Sequence, residues 1–219
     1  MSKNLPDMSR IALEHISLRR MPSQQRSRER VERMLNCAAG LIADQGSDAM
    51  KMSEVARLAD ISIGSLYQYF PDKSAIIRAL AEHYGAECLK CIEDGLAGVT
   101  SLDALCEAMG TLTDVYYALF LAEPVIRDIR FGTQADKSLQ DLEITESRKS
   151  GALLSDALLR VAPNADDSSV RAACFLIMYL GEQTMRLAIS VPPDEGAVLV
   201  TAYKRMAEAE LRQAASSRP

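Results

Sequence analysis

Residues 61–77, ISIGSLYQYFPDKSAII, bring together two tyrosines, a phenylalanine, three serines and a lysine in a chain that is only 5% aromatic. Hydroxyl groups and an ammonium at this density donate hydrogen bonds well, and a tyrosine does so with few rotatable bonds to freeze. Such a set suits anionic oxygens, phosphate above all. It suits binding better than bond-making. The chain has two imidazoles, His15 and His83, and contains no H-E-x-x-H pair, no nucleophile elbow and no glycine-rich phosphate loop following a strand. Asp141, Glu143 and Glu146 are expected to form a solvated face rather than a catalytic set. No enzyme activity and no cofactor are expected.

Cys88 and Cys91 form a lone C-x-x-C with His83 as the one nearby imidazole, too few ligands for a closed zinc site, so no metal is expected. The pair is expected to serve as small core hydrophobes, and a redox role would require a lowered thiol pKa. The five cysteines are scattered and odd in number, which favours a reducing compartment, the cytoplasm, over a disulfide framework. The longest strongly apolar run, Ala172 to Gly181, is far shorter than the roughly 20 residues of a membrane-spanning helix. No membrane association is expected.

Several elements must position the 61–77 cluster. Val31, Met34, Leu35, Ala38, Leu41 and Ile42 recur at helical spacing and end at Gly46, which predicts an amphipathic helix from about Glu29. Ser53 to Leu58 makes a short second helix whose small residues Val55, Ala56 and Ala59 permit close approach to a neighbour. Ser62 is placed to cap a third, Ile63 to about Tyr69, with Leu66 and Phe70 on its inner face. A helix of two turns is not stable alone in water, so neighbours must hold it. Two short helices joined by a tight turn form a helix-turn-helix. Pro71 ends the third helix, and Asp72 caps the next from Lys73. Beyond Tyr84 the pattern is helical throughout, in segments 101–122, 125–161 with a break near Gly132, 167–190 and 194–213.

Charge divides the same way. The net charge is −5, yet residues 1–80 carry 12 Lys and Arg against 9 Asp and Glu, and the remainder 13 against 21. The basic excess is densest from Arg19 to Arg33. A basic front end on an acidic body points to a polyanion partner near the N-terminus, although a basic run also describes a solvated helix face.

The stretch SEVARLADISIGSLYQYFPDKSAII, residues 53–77, resembles the TetR family of bacterial transcriptional regulators. The resemblance lies in Val55–Ala56, Ser62-x-Gly64-x-Leu66–Tyr67, the aromatic pair Tyr69–Phe70, and Lys73 one turn on. It implies an all-α fold: an irregular basic arm over residues 1–25, a three-helix DNA-binding domain over 26–72, and a helical ligand-binding and dimerisation domain over 73–219. It also implies a homodimeric repressor on a palindromic double-stranded DNA operator, released by a small apolar or amphipathic effector. The alternatives are a transcriptional activator or a ligand-free helical interaction protein of the same fold.

Carried over by position, Ser53, Ser62, Ile63, Gly64, Ser65 and Tyr67 fall where family members approach bases or backbone, and Tyr69 and Lys73 at phosphate-contacting places. Arg28, with its neighbours Arg26 and Arg30, is expected to follow the DNA backbone or enter the minor groove. Tyr67, Tyr69 and the serines are expected to face outward. Gly64 is expected to allow close approach of DNA or of the first helix. The chain departs from the family in having Lys51 and Met52 where threonine is common, Asp60 in place of glycine, and Ile63 in place of a polar or cationic residue. Isoleucine cannot make the bidentate arginine–guanine contact but can pack on a thymine methyl.

In the C-terminal region Met109, Tyr116, Phe120, Phe131, Gln134, Phe175, Met178, Tyr179 and Gln183 are candidate ligand contacts. Core packing is the first reading for the apolar ones, and the polar tips of Tyr116, Gln134, Tyr179 and Gln183 require a partner if buried. The segment 168–190 is more apolar than one buried stripe requires. Dimerisation explains it, and a fully buried central helix is the alternative.

Overall fold

The computed structural model describes residues 11, 13–20, 24–132 and 136–218, the side chains of Phe131 and Gly132 excepted. Among these residues the chain is all-helical and without strands. Its helices are α1 (Gln25–Gln45), α2 (Met52–Leu58), α3 (Ile63–Tyr69), α4 (Lys73–Leu96), α5 (Leu102–Ala122), α6 (Pro124–Gly132), α7 (Lys137–Val161), α8 (Asp167–Ser190) and α9 (Pro193–Ser216).

The chain divides into two compact units. One holds the described residues up to Glu87 together with Glu123–Gln140, and the other holds Cys88–Ala122 and the residues from Asp141 onward. The compact unit that contains the helix-turn-helix is built from more than α1, α2 and α3. It takes the first half of α4 and all of α6, because α6 packs on α1. The Asp128 carboxylate on α6 accepts the Ser47 backbone N–H at 3.0 Å, just past the C-terminus of α1.

In this unit α1 buries Val31, Met34, Leu35, Ala38, Leu41 and Ile42, the stripe expected from its period. Gly46 ends it at φ 82, in the left-handed region, and donates to the Ile42 carbonyl. That geometry suits glycine and satisfies an orphan carbonyl of the last turn. Helix α2 contacts both α1 and α3. The turn between α2 and α3 also needs a left-handed residue, and Asp60 fills it at φ 54. Aspartate tolerates this region better than most residues, which explains how the chain dispenses with the usual glycine there.

Residues 13–20 are irregular apart from a 3₁₀ turn at Leu13–His15, but they do not trail. Ile11, Leu13 and Ile16 are buried. The Ser17 backbone N–H donates to the Glu82 carboxylate at 2.5 Å, and that of Arg19 donates to the Tyr69 carbonyl at 3.3 Å. This part of the arm, expected to be irregular, is thus docked on its own unit.

In the other unit, α5, α8 and α9 pack mutually. Its core includes Leu105, Met109, Leu154, Leu158, Val170, Ile177, Tyr203 and Leu211. Close approach is set by small residues: a Cβ on Gly196 would lie 2.2 Å from the Ala188 carbonyl oxygen, and one on Gly151 would lie 2.8 Å from the Phe175 Cα. Helix α8 is not buried all round. Ala173, Cys174 and Ile177 face the core, while Leu176 and Leu187 are each 53% exposed and Leu180 is 40% exposed.

Candidate nucleic-acid interface

Helix α3 begins at a true cap. The Ser62 hydroxyl accepts the Ser65 backbone N–H at 3.2 Å, and the two serine hydroxyls lie 2.9 Å apart. The cap meets part of the hydrogen-bond deficit of a first turn, which matters in a seven-residue helix. Leu66 and Phe70 behind it are fully buried, as are Val55 and Ala56 on α2. Burying Leu66 and Phe70 contributes on the order of 1.5–3 kcal/mol each and fixes the helix by its back face.

The opposite face is open. Ser62 and Gly64 are exposed, Ser65 is half-buried, Ile63 is 41% exposed and Tyr67 is 44% exposed. Ser53 in the first turn of α2 and Arg28 in the first turns of α1 are also exposed. A Cβ on Gly64 would meet nothing within 4 Å, so this glycine is not required for packing on α1.

Two side chains stand elsewhere than expected. Tyr69 is 7% exposed and packs inward, and its carbonyl accepts the Arg19 backbone N–H at 3.3 Å. Lys73 is half-buried, and its ammonium donates to the carbonyls of Ser47 and Asp48, each at 3.0 Å. Two of its three N–H donors therefore hold the turn between α1 and α2, which leaves one for anything outside. Asp72 caps α4 as expected, accepting the Ala75 N–H at 2.8 Å.

A second polar group lies in the unit built on α5, α8 and α9. Glu143 on α7 was expected on a solvated face. It is instead buried, paired with Arg186 at 2.5 and 3.0 Å, and accepts Gln183 Nε2 at 2.8 Å. Tyr116 donates a short hydrogen bond to buried Glu182 and stacks edge-on against Phe120, with ring centroids 4.9 Å apart. Phe120 is fully buried and Met109 is buried, while Met178 packs against the core from its edge. The Arg148 guanidinium lies 4.6 Å from the centre of the Phe175 ring, and Tyr179 faces the same ring at 6.5 Å.

The polar tips of Tyr116 and Gln183 thus find partners within the chain. Phe131's side chain and Gln134 fall outside the described residues. Glu182 and Arg186 were not singled out from the sequence, although a charged pair at i and i+4 inside an apolar helix was the available signal. Cys88 and Cys91 are half-buried and not joined in a disulfide, and burial pushes the Cys91 thiol up rather than down.

Comparison with known proteins agrees with this architecture. Residues 35–80 match the profile described as "Bacterial regulatory proteins, tetR family", and residues 103–215, more than half the chain, match "Tetracyclin repressor-like, C-terminal domain". The chain belongs to the TetR family.

Over 86 residues it is 33% identical to the HTH-type transcriptional repressor KstR of Mycobacterium tuberculosis, covering 39% of each chain. Over 98 residues it is 31% identical to the HTH-type transcriptional regulator YvdT of Bacillus subtilis, covering 43% of this chain and 50% of that one. The alignments therefore span half or less of these relatives. A TetR-family transcriptional regulator from Streptomyces coelicolor superposes with a TM-score of 0.67 at 25% identity, over 84% of this chain and 97% of its own. The family is one of transcriptional regulators, and no helix among the described residues is long and apolar enough to cross a membrane.

Proposed function

We propose that the protein is a transcriptional repressor that binds a palindromic DNA operator as a homodimer and is released by a small-molecule effector. The observation that carries this is the two-faced α3. Leu66 and Phe70 anchor it from behind, while Ser62, Ile63, Gly64 and Tyr67 are exposed and Ser65 is half-buried beside them with its hydroxyl next to that of Ser62. In the DNA groove Ile63 packs on a thymine methyl, and the hydroxyls of Ser53, Ser62, Ser65 and Tyr67 reach phosphate or base edges. Arg28 follows the backbone. Lys73 acts chiefly through the Ser47–Asp48 turn, with one N–H left for phosphate. Tyr69 supports the end of α3 from within.

Dimerisation is supported by the outer faces of α8 and α9. Leu176, Leu180 and Leu187 repeat at near-heptad spacing, and Val198 and Met206 are 68% and 64% exposed. Apolar residues aligned on one face of a helix are costly to leave in water, and a second copy of the same face covers them isologously. The effector site is proposed to involve Tyr116, Phe175, Tyr179 and Gln183 with Met109, Phe120 and Met178, all in the unit built on α5, α8 and α9. To weaken operator binding a hundredfold, the effector must favour the DNA-incompetent state by about 2.7 kcal/mol.

The test is a mobility shift on the DNA upstream of the protein's own coding sequence, at two salt concentrations. Specific retardation that Tyr67→Ala weakens is the expected result. Retardation insensitive to Tyr67→Ala, with no sequence preference, would refute the assignment. Activation of transcription from a bound site would favour the activator alternative.

A further inference from the structure

The arm ahead of α1 is held to the helix-turn-helix unit at several points. Three apolar side chains, Ile11, Leu13 and Ile16, are buried at 2%, 7% and 5% exposure. Two backbone hydrogen bonds then tie the chain at particular residues. Ser17 N–H reaches Glu82 Oε2 at 2.5 Å, while Glu82 Oε1 accepts Arg78 Nε at 3.1 Å, so both oxygens of an 8% exposed carboxylate are engaged. Arg19 N–H reaches the carbonyl of Tyr69, the last residue of α3.

These ties fix the backbone at Arg19 and Arg20. Both residues are exposed, and neither has an ion-pair or hydrogen-bond partner for its guanidinium among the described residues. The body of the chain is acidic, yet no carboxylate among the described residues is used to neutralise these two cations. The Arg19 backbone is tied to the C-terminal end of α3, the helix whose outer face the repressor reading gives to DNA.

We propose that this arm is a clasp that presents Arg19 and Arg20 to the phosphates flanking the groove in which α3 lies, and so adds a backbone contact to the DNA interface. The clasp rests on the repressor reading. Guanidinium groups bind phosphate with planar forks, and such contacts carry no base information, so they set register and affinity uniformly over sequence. Ser17 and Glu82 are positioning residues in this arrangement: they hold the arm and do not touch DNA. A trailing arm with the same arginines would lose most of the benefit to the entropy of ordering it on binding.

The test uses the full-length chain and two probes, a duplex recovered by the protein from a random-sequence pool and a duplex of unrelated sequence. Arg19→Ala/Arg20→Ala is expected to weaken binding to both probes alike. It should reduce the salt dependence, the slope of log K against log salt concentration, by about one to two in magnitude, because each phosphate contact supplies about 0.9. Ser17→Pro, which removes the N–H that Glu82 accepts, is expected to lower the slope in the same direction and to add little on top of the double arginine substitution. An unchanged slope in either variant, while Tyr67→Ala still weakens the selected duplex, overturns the clasp and leaves the repressor reading intact. Failure of the unsubstituted chain to prefer the selected duplex overturns both.

Discussion

Arg186 on α8 meets Glu143 on α7 in a two-point ion pair, Nη1 to Oε2 at 3.0 Å and Nη2 to Oε1 at 2.5 Å, with both side chains 6% exposed. A buried pair of this kind adds little over a well-packed apolar pair, but removing one member leaves a desolvated charge facing the space where its partner stood. Glu143→Ala is therefore expected to destabilise the protein by about 3–5 kcal/mol, measured by denaturant unfolding. Glu143→Gln, which keeps an acceptor for Gln183 or Arg186, should cost less.

Gly64 separates stability from DNA binding. Glycine in a helix is disfavoured relative to alanine by about 0.5–1 kcal/mol, and nothing within 4 Å of its added Cβ opposes the change. Gly64→Ala should raise the unfolding free energy by that amount. Operator affinity should fall, because the methyl group stands where DNA approaches. A mobility shift run beside a denaturation curve reads both effects on the same preparation.

Lys73 is expected to behave as a structural cation. Lys73→Met removes two charge-assisted bonds to the Ser47 and Asp48 carbonyls, with an expected loss of about 1–2 kcal/mol for a half-buried donor. The salt slope of DNA binding should fall by less than about one, since at most one N–H is free for phosphate. A larger fall without loss of stability would return Lys73 to the phosphate-binding set.

Alkaline pH should weaken the fold through a buried thiol. Burial pushes the Cys174 thiol up to about 11 from its ordinary 9.0, so between these values the unfolded chain releases the proton and the native chain keeps it. The native state then binds more protons, and stability falls as pH rises through the window, while below pH 9 this contribution is constant. The tyrosines extend the trend upward: burial raises Tyr84 to about 12 and raises Tyr203 further. Thermal denaturation below pH 9 and near pH 11 should show the drop, and Cys174→Ala should reduce it.

The parts of this molecule that were legible in its sequence are those set by local chemistry. The α1 stripe from Val31 to Ile42, the Ser62 and Asp72 caps and the span Ile63–Tyr69 depend on residues three or four apart, and each stands where the period and cap rules put it. The misplacements share a cause. Tyr69, Lys73 and Glu143 are each engaged by an element distant in the chain: the Tyr69 carbonyl by the arm, Lys73 by the turn after α1, and Glu143 by α8. Composition cannot tell whether a polar tip meets water or a carbonyl 25 residues away, as it does for Lys73 and Asp48. The docking of Ile11, Leu13 and Ile16 was hidden for the same reason, since three apolar residues in an aperiodic stretch specify no face.

The repressor account turns on paired α3 helices reading one duplex, and hydroxyl-radical footprinting of the selected operator addresses that most directly. The account predicts two symmetric protected patches with centres about 34–36 Å apart along the helix axis, one turn of B-DNA, both lost in Tyr67→Ala. A single asymmetric patch, or protection that survives Tyr67→Ala unchanged, would contradict it.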